Sequence, residues 1–193
     1  FATGGPSWVG GSGWMTDADH CNWQGVYCTE YGSVMGLWMG DFGMSGRLPA
    51  EIGCLPSMEF LSFENNNLVT AFIPEMCQNT NLHHINMNNA EVVGPLPECI
   101  GYMPNLLTLH LSNNYLNAPL PESLGNAGSP LESFRANCSY LQGDLPLGLT
   151  DGTVTDVQVR CNDALTCPDT SSFLLCSLAG CDSECFDRDT QGC

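Results

Sequence analysis

Residues Leu106 to Gly125 read LLTLHLSNNYLNAPLPESLG, and in that order they spell a short strand, a bend and a proline-stiffened return. Leu109 and Leu111 alternate with His110, the period of two of a strand with one buried face. Asn113 and Asn114 follow where the chain must leave the strand, a place that suits amides able to bond to nearby backbone. Pro119 and Pro121 remove backbone donors and favour extended or tight-turn geometry. A unit this short cannot bury its apolar side alone, so its recurrence decides the fold.

Aligned on the apolar pair, the unit recurs at Leu37-Trp38-Met39, Leu61-Ser62-Phe63, Ile85-Asn86-Met87, Leu109-His110-Leu111, Phe134-Arg135-Ala136 and Val157-Gln158-Val159, in steps of 24, 24, 24, 25 and 23 residues. A further apolar residue follows each pair: Met44, Leu68, Val92, Leu116, Leu141 and Leu165. Gly46-Arg47-Leu48-Pro49, Gly94-Pro95-Leu96-Pro97, Ala118-Pro119-Leu120-Pro121 and Gly143-Asp144-Leu145-Pro146 repeat the return. The second unit departs from this template, with Thr70 at the Gly position and one extra residue before Ile73-Pro74. Units that cannot fold alone must stack, which predicts an α/β solenoid of about six 24-residue repeats with a parallel sheet on its concave face. Leu37, Leu61, Ile85, Leu109, Phe134 and Val157 form its inward column. Asn66, Asn114 and Asn162 sit at the strand exit, and Phe42, Ala90 and Ser139 replace them in the other units, so a ladder of buried amides is expected to be interrupted.

The chain has 193 residues, no Lys and 4 Arg against 21 Asp and Glu, a net charge of −17. Such a surface repels phosphate backbones and anionic headgroups, which excludes nucleic-acid and membrane-surface binding as expectations and leaves neutral or cationic partners. Twelve cysteines with no C-x-x-C pair, the tightest spacing being Cys181 with Cys185, indicate disulfides in an oxidising compartment rather than zinc. No apolar run reaches the roughly 20 residues of a membrane span, and the chain opens on Phe1 without a basic leader, so it is expected to be a mature secreted protein or an ectodomain.

The consensus L-x-x-L-x-L-x-x-N-x-L-x-G-x-L-P-x-x-I-G, best shown by residues 106–125, resembles the plant-type leucine-rich repeat. Cys21-Asn22-Trp23-Gln24-Gly25-Val26-Tyr27-Cys28, with Trp14 upstream, resembles the C-x-W-x-G-V-x-C amino-terminal cap of receptor-kinase ectodomains and polygalacturonase-inhibiting proteins. The resemblance implies a Cys21–Cys28 bridge and an extracellular recognition module at the cell surface, with no cofactor. Four segments follow: a flexible Gly/Ser-rich head at 1–13, a cap at 14–33, repeats at 34–168, and a Cys-rich carboxy-terminal cap at 169–193.

The period also aligns cysteines. Cys138 lies four residues past Phe134 and Cys161 four past Val157, equivalent places on adjacent repeats, which predicts a bridge between them. Cys54 lies seven residues before Leu61 and Cys77 eight before Ile85, which predicts Cys54–Cys77, with Cys77–Cys99 as the competing pair. Spacing leaves open the partners of Cys99, Cys167, Cys176, Cys181, Cys185 and Cys193.

No G-x-S-x-G elbow, Walker loop, H-E-x-x-H or EF-hand pattern is present, so no catalytic and no metal-binding residue is assigned. The informative surface is the solvent side of the strands. One row reads Trp38, Ser62, Asn86, His110, Arg135 and Gln158, and the row before it Gly36, Phe60, His84, Thr108, Ser133 and Asp156. Trp38 beside Phe60 is a hot-spot or sugar-stacking pattern, against the simpler reading that Trp38 packs on the cap. Glu64, Asn88 and their row add groups suited to hydroxyls or an extended peptide backbone. The expected ligand-binding residues are Trp38, Phe60, Glu64, His84, Asn86, Asn88, His110 and Arg135, for a peptide, protein or cell-wall glycan. Inhibition of a secreted polysaccharide-degrading enzyme is the alternative, as is ice binding by the evenly spaced Asn65, Asn89 and Asn113.

Overall fold

The computed structural model describes residues 3–166. Its strands are β1 (Val26–Cys28), β2 (Val34–Trp38), β3 (Phe60–Ser62), β4 (Thr70–Ala71), β5 (His84–Asn86), β6 (Val92–Val93), β7 (Thr108–His110), β8 (Ser133–Arg135), β9 (Gln142–Asp144), β10 (Asp156–Gln158) and β11 (Ala164–Thr166). One seven-stranded sheet runs β1-β2-β3-β5-β7-β8-β10, parallel except for β1. The register pairs Leu37, Leu61, Ile85, Leu109, Phe134 and Val157 across successive strands, the column that the repeat predicts. All six are buried, as are the second apolar residues from Met44 to Leu165. The return halves add two small sheets, β4-β6 and β9-β11. The helical part of the solenoid consists, among the described residues, of 3-10 helices, the longest being Ala50–Cys54, Pro74–Gln78 and Glu98–Tyr102.

After each parallel strand the chain bends through one left-handed residue: Asp41, Asn65, Asn89, Asn113, Cys138 and Cys161, with φ between 51° and 59°. Asn and Asp tolerate that region best among side-chain-bearing residues. The evenly spaced Asn row is therefore a bend column, and its backbone N–H groups feed the inter-repeat ladder: Asn65 to Asn88 O, Asn89 to Ser112 O, Asn113 to Asn137 O. Cys138 and Cys161 share this column and are both disulfide-bonded.

The buried amides work in alternation. Asn114 donates from Nδ2 to the carbonyls of Met87 and Leu111, and its Oδ1 accepts from the N–H groups of Ala90 and Val92. Asn66 reaches Met39 and Met44 of the repeat before it, and Asn162 reaches Ala136, Ser139 and Leu141. Each amide thus serves its own repeat and the preceding one, so the replacements Phe42, Ala90 and Ser139 leave no buried side-chain polar atom unpaired among the described residues. Ser139 adds a hydroxyl bond to the Leu111 carbonyl.

On the outer side, the residue after each buried Ile, Met or Leu meets the residue before its counterpart in the next repeat. A Cβ on Gly53 would lie 2.4 Å from the Glu75 carbonyl oxygen, and one on Gly101 would lie 2.3 Å from the Ser123 carbonyl carbon and oxygen. Cys77 follows Met76 and Cys99 precedes Ile100, so the same offset places those two cysteines together. They form the disulfide, with Cα atoms 6.0 Å apart. The expected Cys54–Cys77 bridge is corrected: Cys54 stands one residue further along its helix, exposed, with a free thiol. Peptide mapping without reduction is expected to link Cys77 with Cys99 and to find Cys54 alkylated by iodoacetamide; a linked Cys54–Cys77 peptide would reverse the assignment.

At the amino-terminal end the Cys21–Cys28 bridge implied by the cap is formed, and β1 adds an antiparallel strand to β2. The segment expected to be a flexible head packs instead. Trp8 lies 5.0 Å from Trp14 and 6.3 Å from Phe42, Trp14 lies 4.7 Å from Trp23, and Val9 N–H donates to the Phe42 carbonyl. Three indole N–H groups bond to the carbonyls of Thr3, Gln24 and Ala18. Phe42 therefore replaces the exit Asn of the first repeat because it meets aromatic residues of the head rather than another repeat. The expected cap at 169–193 lies outside the described residues.

Candidate functional site: the concave face of the sheet

Strand alternation turns every second residue of the sheet to solvent. Among the described residues the concave face carries Tyr27 of β1, Gly36 and Trp38 of β2, Phe60 and Ser62 of β3, His84 and Asn86 of β5, Thr108 and His110 of β7, Ser133 and Arg135 of β8, and Asp156 and Gln158 of β10.

Its amino-terminal end is aromatic. Trp38 is 57% exposed and Tyr27 50% exposed, and Phe60 is half-buried between them. Phe60 lies 5.5 Å from Tyr27 and 6.5 Å edge-on from Trp38. Tyr27 and Phe60 flank Gly36 on either side in the register. A Cβ there would come within 1.9 Å of the Phe60 ring, so the glycine is the seat on which that ring lies. Trp38 meets the cap through its backbone, its N–H donating to the Gly25 carbonyl, but its exposure shows that the cap does not cover its ring. The repeat period does not reach Tyr27; its signal is the alternation Val26-in, Tyr27-out at the end of the cap motif. Gly36→Ala is expected to leave the melting temperature within a few degrees, because the obstructing atoms belong to a side chain that can swing. The change should displace Phe60, visible as loss of nuclear Overhauser contacts between Phe60 and Tyr27.

Glu64 folds back across Gly40, where a Cβ would lie 2.5 Å from its carboxylate, and accepts a hydrogen bond from Ser62 Oγ. Ser62 is the register partner of Trp38, so this carboxylate flanks the aromatic end. The two centre amides are partly committed: Asn86 Oδ1 accepts from Asn88 N–H and Asn88 Oδ1 from Ser112 N–H.

The carboxy-terminal end is a polar chain. His84 Nδ1 lies 2.9 Å from Thr108 Oγ1, and His110 Nε2 lies 3.0 Å from Ser133 Oγ. Ser133 Oγ is 2.8 Å from Asp156, which also receives Arg135 Nε at 2.8 Å and Gln158 Nε2 at 3.0 Å. Burial pushes the Asp156 carboxyl up, but the bonds from Ser133, Gln158 and Arg135 and the charge of Arg135 hold it below its ordinary value. Burial first, then the charges of Arg135 and His84, lower the His110 pKa against the opposing effect of Asp156. Ser, His and Asp meet here, yet the wiring is not that of a hydrolase. In a nucleophilic triad the serine proton goes to His and the carboxylate orients that His. Here the carboxylate holds the serine and an arginine.

All eight predicted ligand-binding residues fall on this side of the molecule, aromatic at one end and hydrogen-bonded at the other. The leucine-rich repeat family model matches residues 105–127, the stretch whose strand and bend sit at the centre of this face. Residues 105–127 are a leucine-rich repeat, and the chain has the leucine-rich repeat fold. It is 34% identical over 71% of its length to the serine/threonine-protein kinase BRI1-like 1 of Arabidopsis thaliana, of which it spans 13%. The BIR2 ectodomain of the same plant shares the fold, with a TM-score of 0.75 at 24% identity over 89% of this chain and 92% of that one. The receptor kinase HAESA, solved with the peptide hormone IDA and the co-receptor SERK1, gives a TM-score of 0.69 at 27% identity over 78% of this chain and 26% of HAESA. The chain spans less than a fifth of the curated relatives it matches first. Its disulfides, like those of an ectodomain, belong to an oxidising extracellular setting.

Proposed function

We propose that this chain is the ligand-recognition part of an extracellular receptor-type protein and that it binds a peptide or protein segment on its concave sheet without catalysing a reaction on it. The observation that carries the reading is the cluster of Tyr27, Trp38 and Phe60, exposed on a face that an uninterrupted apolar column holds rigid from behind. Aromatic side chains with one face to solvent are the commonest energetic anchors of interfaces. HAESA, with which the chain shares its fold and 27% identity, is known in a complex with a peptide hormone, which favours a peptide over a glycan. The arrangement of Ser133, His110 and Asp156 supports the absence of hydrolysis.

The test is a peptide array probed with the wild-type chain and with Trp38→Ala. Peptides retained by the wild type should lose about thirtyfold or more in affinity on the variant, the effect of removing one anchor. The melting temperature should stay within a few degrees. A silent array, or retained peptides that bind the variant equally well, would remove the concave face from consideration.

A further inference from the structure

The charges of the chain do not balance on this face. It has no Lys, and of its arginines Arg135 is engaged by Asp156, with Nη2 2.7 Å from the carboxylate. Arg47 and Arg160 make no ion pair among the described residues, and none there reaches Glu64. The Glu64 carboxylate nevertheless lies over Gly40 on the exposed sheet, held by the hydroxyl of Ser62 beside Trp38. Trp38 stands between this carboxylate, over Gly40, and the Phe60 ring, over Gly36, and the three rings are inclined to one another, by 59° between Tyr27 and Phe60 and by 69° between Trp38 and Phe60. Mutually tilted aromatic faces with a carboxylate at their rim are the surroundings a cation prefers, since the ring quadrupoles and the carboxylate both attract it. No cationic side chain of the described residues pairs with this carboxylate, which leaves it open to a positive charge on a ligand.

We propose that Tyr27, Trp38, Phe60 and Glu64 form a seat for an arginine or lysine side chain of an extended basic peptide segment. This rests on the reading of the concave face as the ligand surface and adds the chemistry of its amino-terminal half. Glycines at 36 and 40 are part of the seat: each lets a neighbouring side chain lie flat across the sheet, Phe60 over one and Glu64 over the other. The opposite end supplies no second seat of this kind, because Asp156 is already satisfied by Arg135, Ser133 and Gln158.

The experiment uses three capped twelve-residue peptides of alternating Leu with Arg, Gln or Glu, measured by calorimetry at physiological ionic strength. The Arg peptide should bind and the other two should not. Glu64→Gln and Trp38→Ala should each weaken it about tenfold. Glu122→Gln, which removes an equal charge from an exposed position on the outer side, should change it less than twofold. Equal effects of Glu64→Gln and Glu122→Gln would show diffuse attraction to an acidic protein and overturn the seat, as would failure of all three peptides to bind. Binding of the Gln peptide as tightly as the Arg peptide, weakened by Trp38→Ala, would overturn the cation seat while leaving the concave face as the ligand surface.

Discussion

Asn114→Ala is expected to lower the unfolding free energy by about 4 kcal/mol. The side chain is wholly buried and joins two repeats through five main-chain groups: the carbonyls of Met87 and Leu111 at 2.8 Å each and of Ser112 at 3.2 Å, and the N–H groups of Ala90 and Val92 at 3.2 and 2.9 Å. An alanine methyl leaves those groups in an apolar interior, where each unsatisfied polar atom costs about 1–3 kcal/mol. The sum is less than five full penalties because the Leu111 carbonyl keeps the hydroxyl of Ser139 and the Ser112 carbonyl keeps the N–H of Asn89. Asn114→Asp should be at least as damaging, since it sets a carboxylate against three carbonyls. Guanidinium denaturation followed by circular dichroism measures the change; a loss below about 1 kcal/mol would mean that water enters and replaces the amide. Ser139→Ala, which removes one hydroxyl donor shared between the Leu111 and Asn137 carbonyls, should cost about 1 kcal/mol.

Gly101→Ala is expected to cost about 3 kcal/mol. The new Cβ would stand 2.3 Å from the carbonyl carbon and oxygen of Ser123. That obstruction is backbone, so no rotamer relieves it, and overpacking of this kind costs about 1–3 kcal/mol or more. Relief requires the outer turns of the third and fourth repeats to move apart, which strains the strands that hold the same repeats together on the concave side. The comparison with Gly36→Ala is the check. There the obstruction is a phenyl ring, and the same methyl should leave stability nearly intact. Equal denaturation midpoints for the two variants would contradict this account of the outer glycine.

The I-G at the end of the consensus thereby acquires a cause. The residue after the outer buried position touches the backbone of the next repeat, and glycine fits at Gly53, Gly101 and Gly125. Cys77 holds that place in the second repeat and bonds to the cysteine that faces it. Counting residues back from the strands sets Cys54 and Cys77 one position out of step and Cys77 and Cys99 two, and counting from Ile52, Met76 and Ile100, the buried residues of the outer side, gives the same offsets. Facing positions on the outer turns are themselves staggered by two, the residue after one buried position meeting the residue before the next, so Cys77 meets Cys99 and not Cys54.

What the sequence determined by itself is the repeat and everything that follows from its period. The apolar column from Leu37 to Val157, the parallel register and the two exposed rows of the concave face all follow from one residue alternation applied at 24-residue steps, because a strand offers only two faces and a one-residue slip would bury the polar one. What only the tertiary structure decided are contacts between segments that no period relates. The docking of Trp8 on Trp14 and Phe42, the arrival of Tyr27 beside Phe60 from an antiparallel cap strand, the placement of Glu64 across Gly40, and the sharing of Asp156 between Ser133 and Arg135 depend on side-chain directions across separate elements. Periodicity specifies which face a residue occupies; only packing specifies which neighbour it meets there.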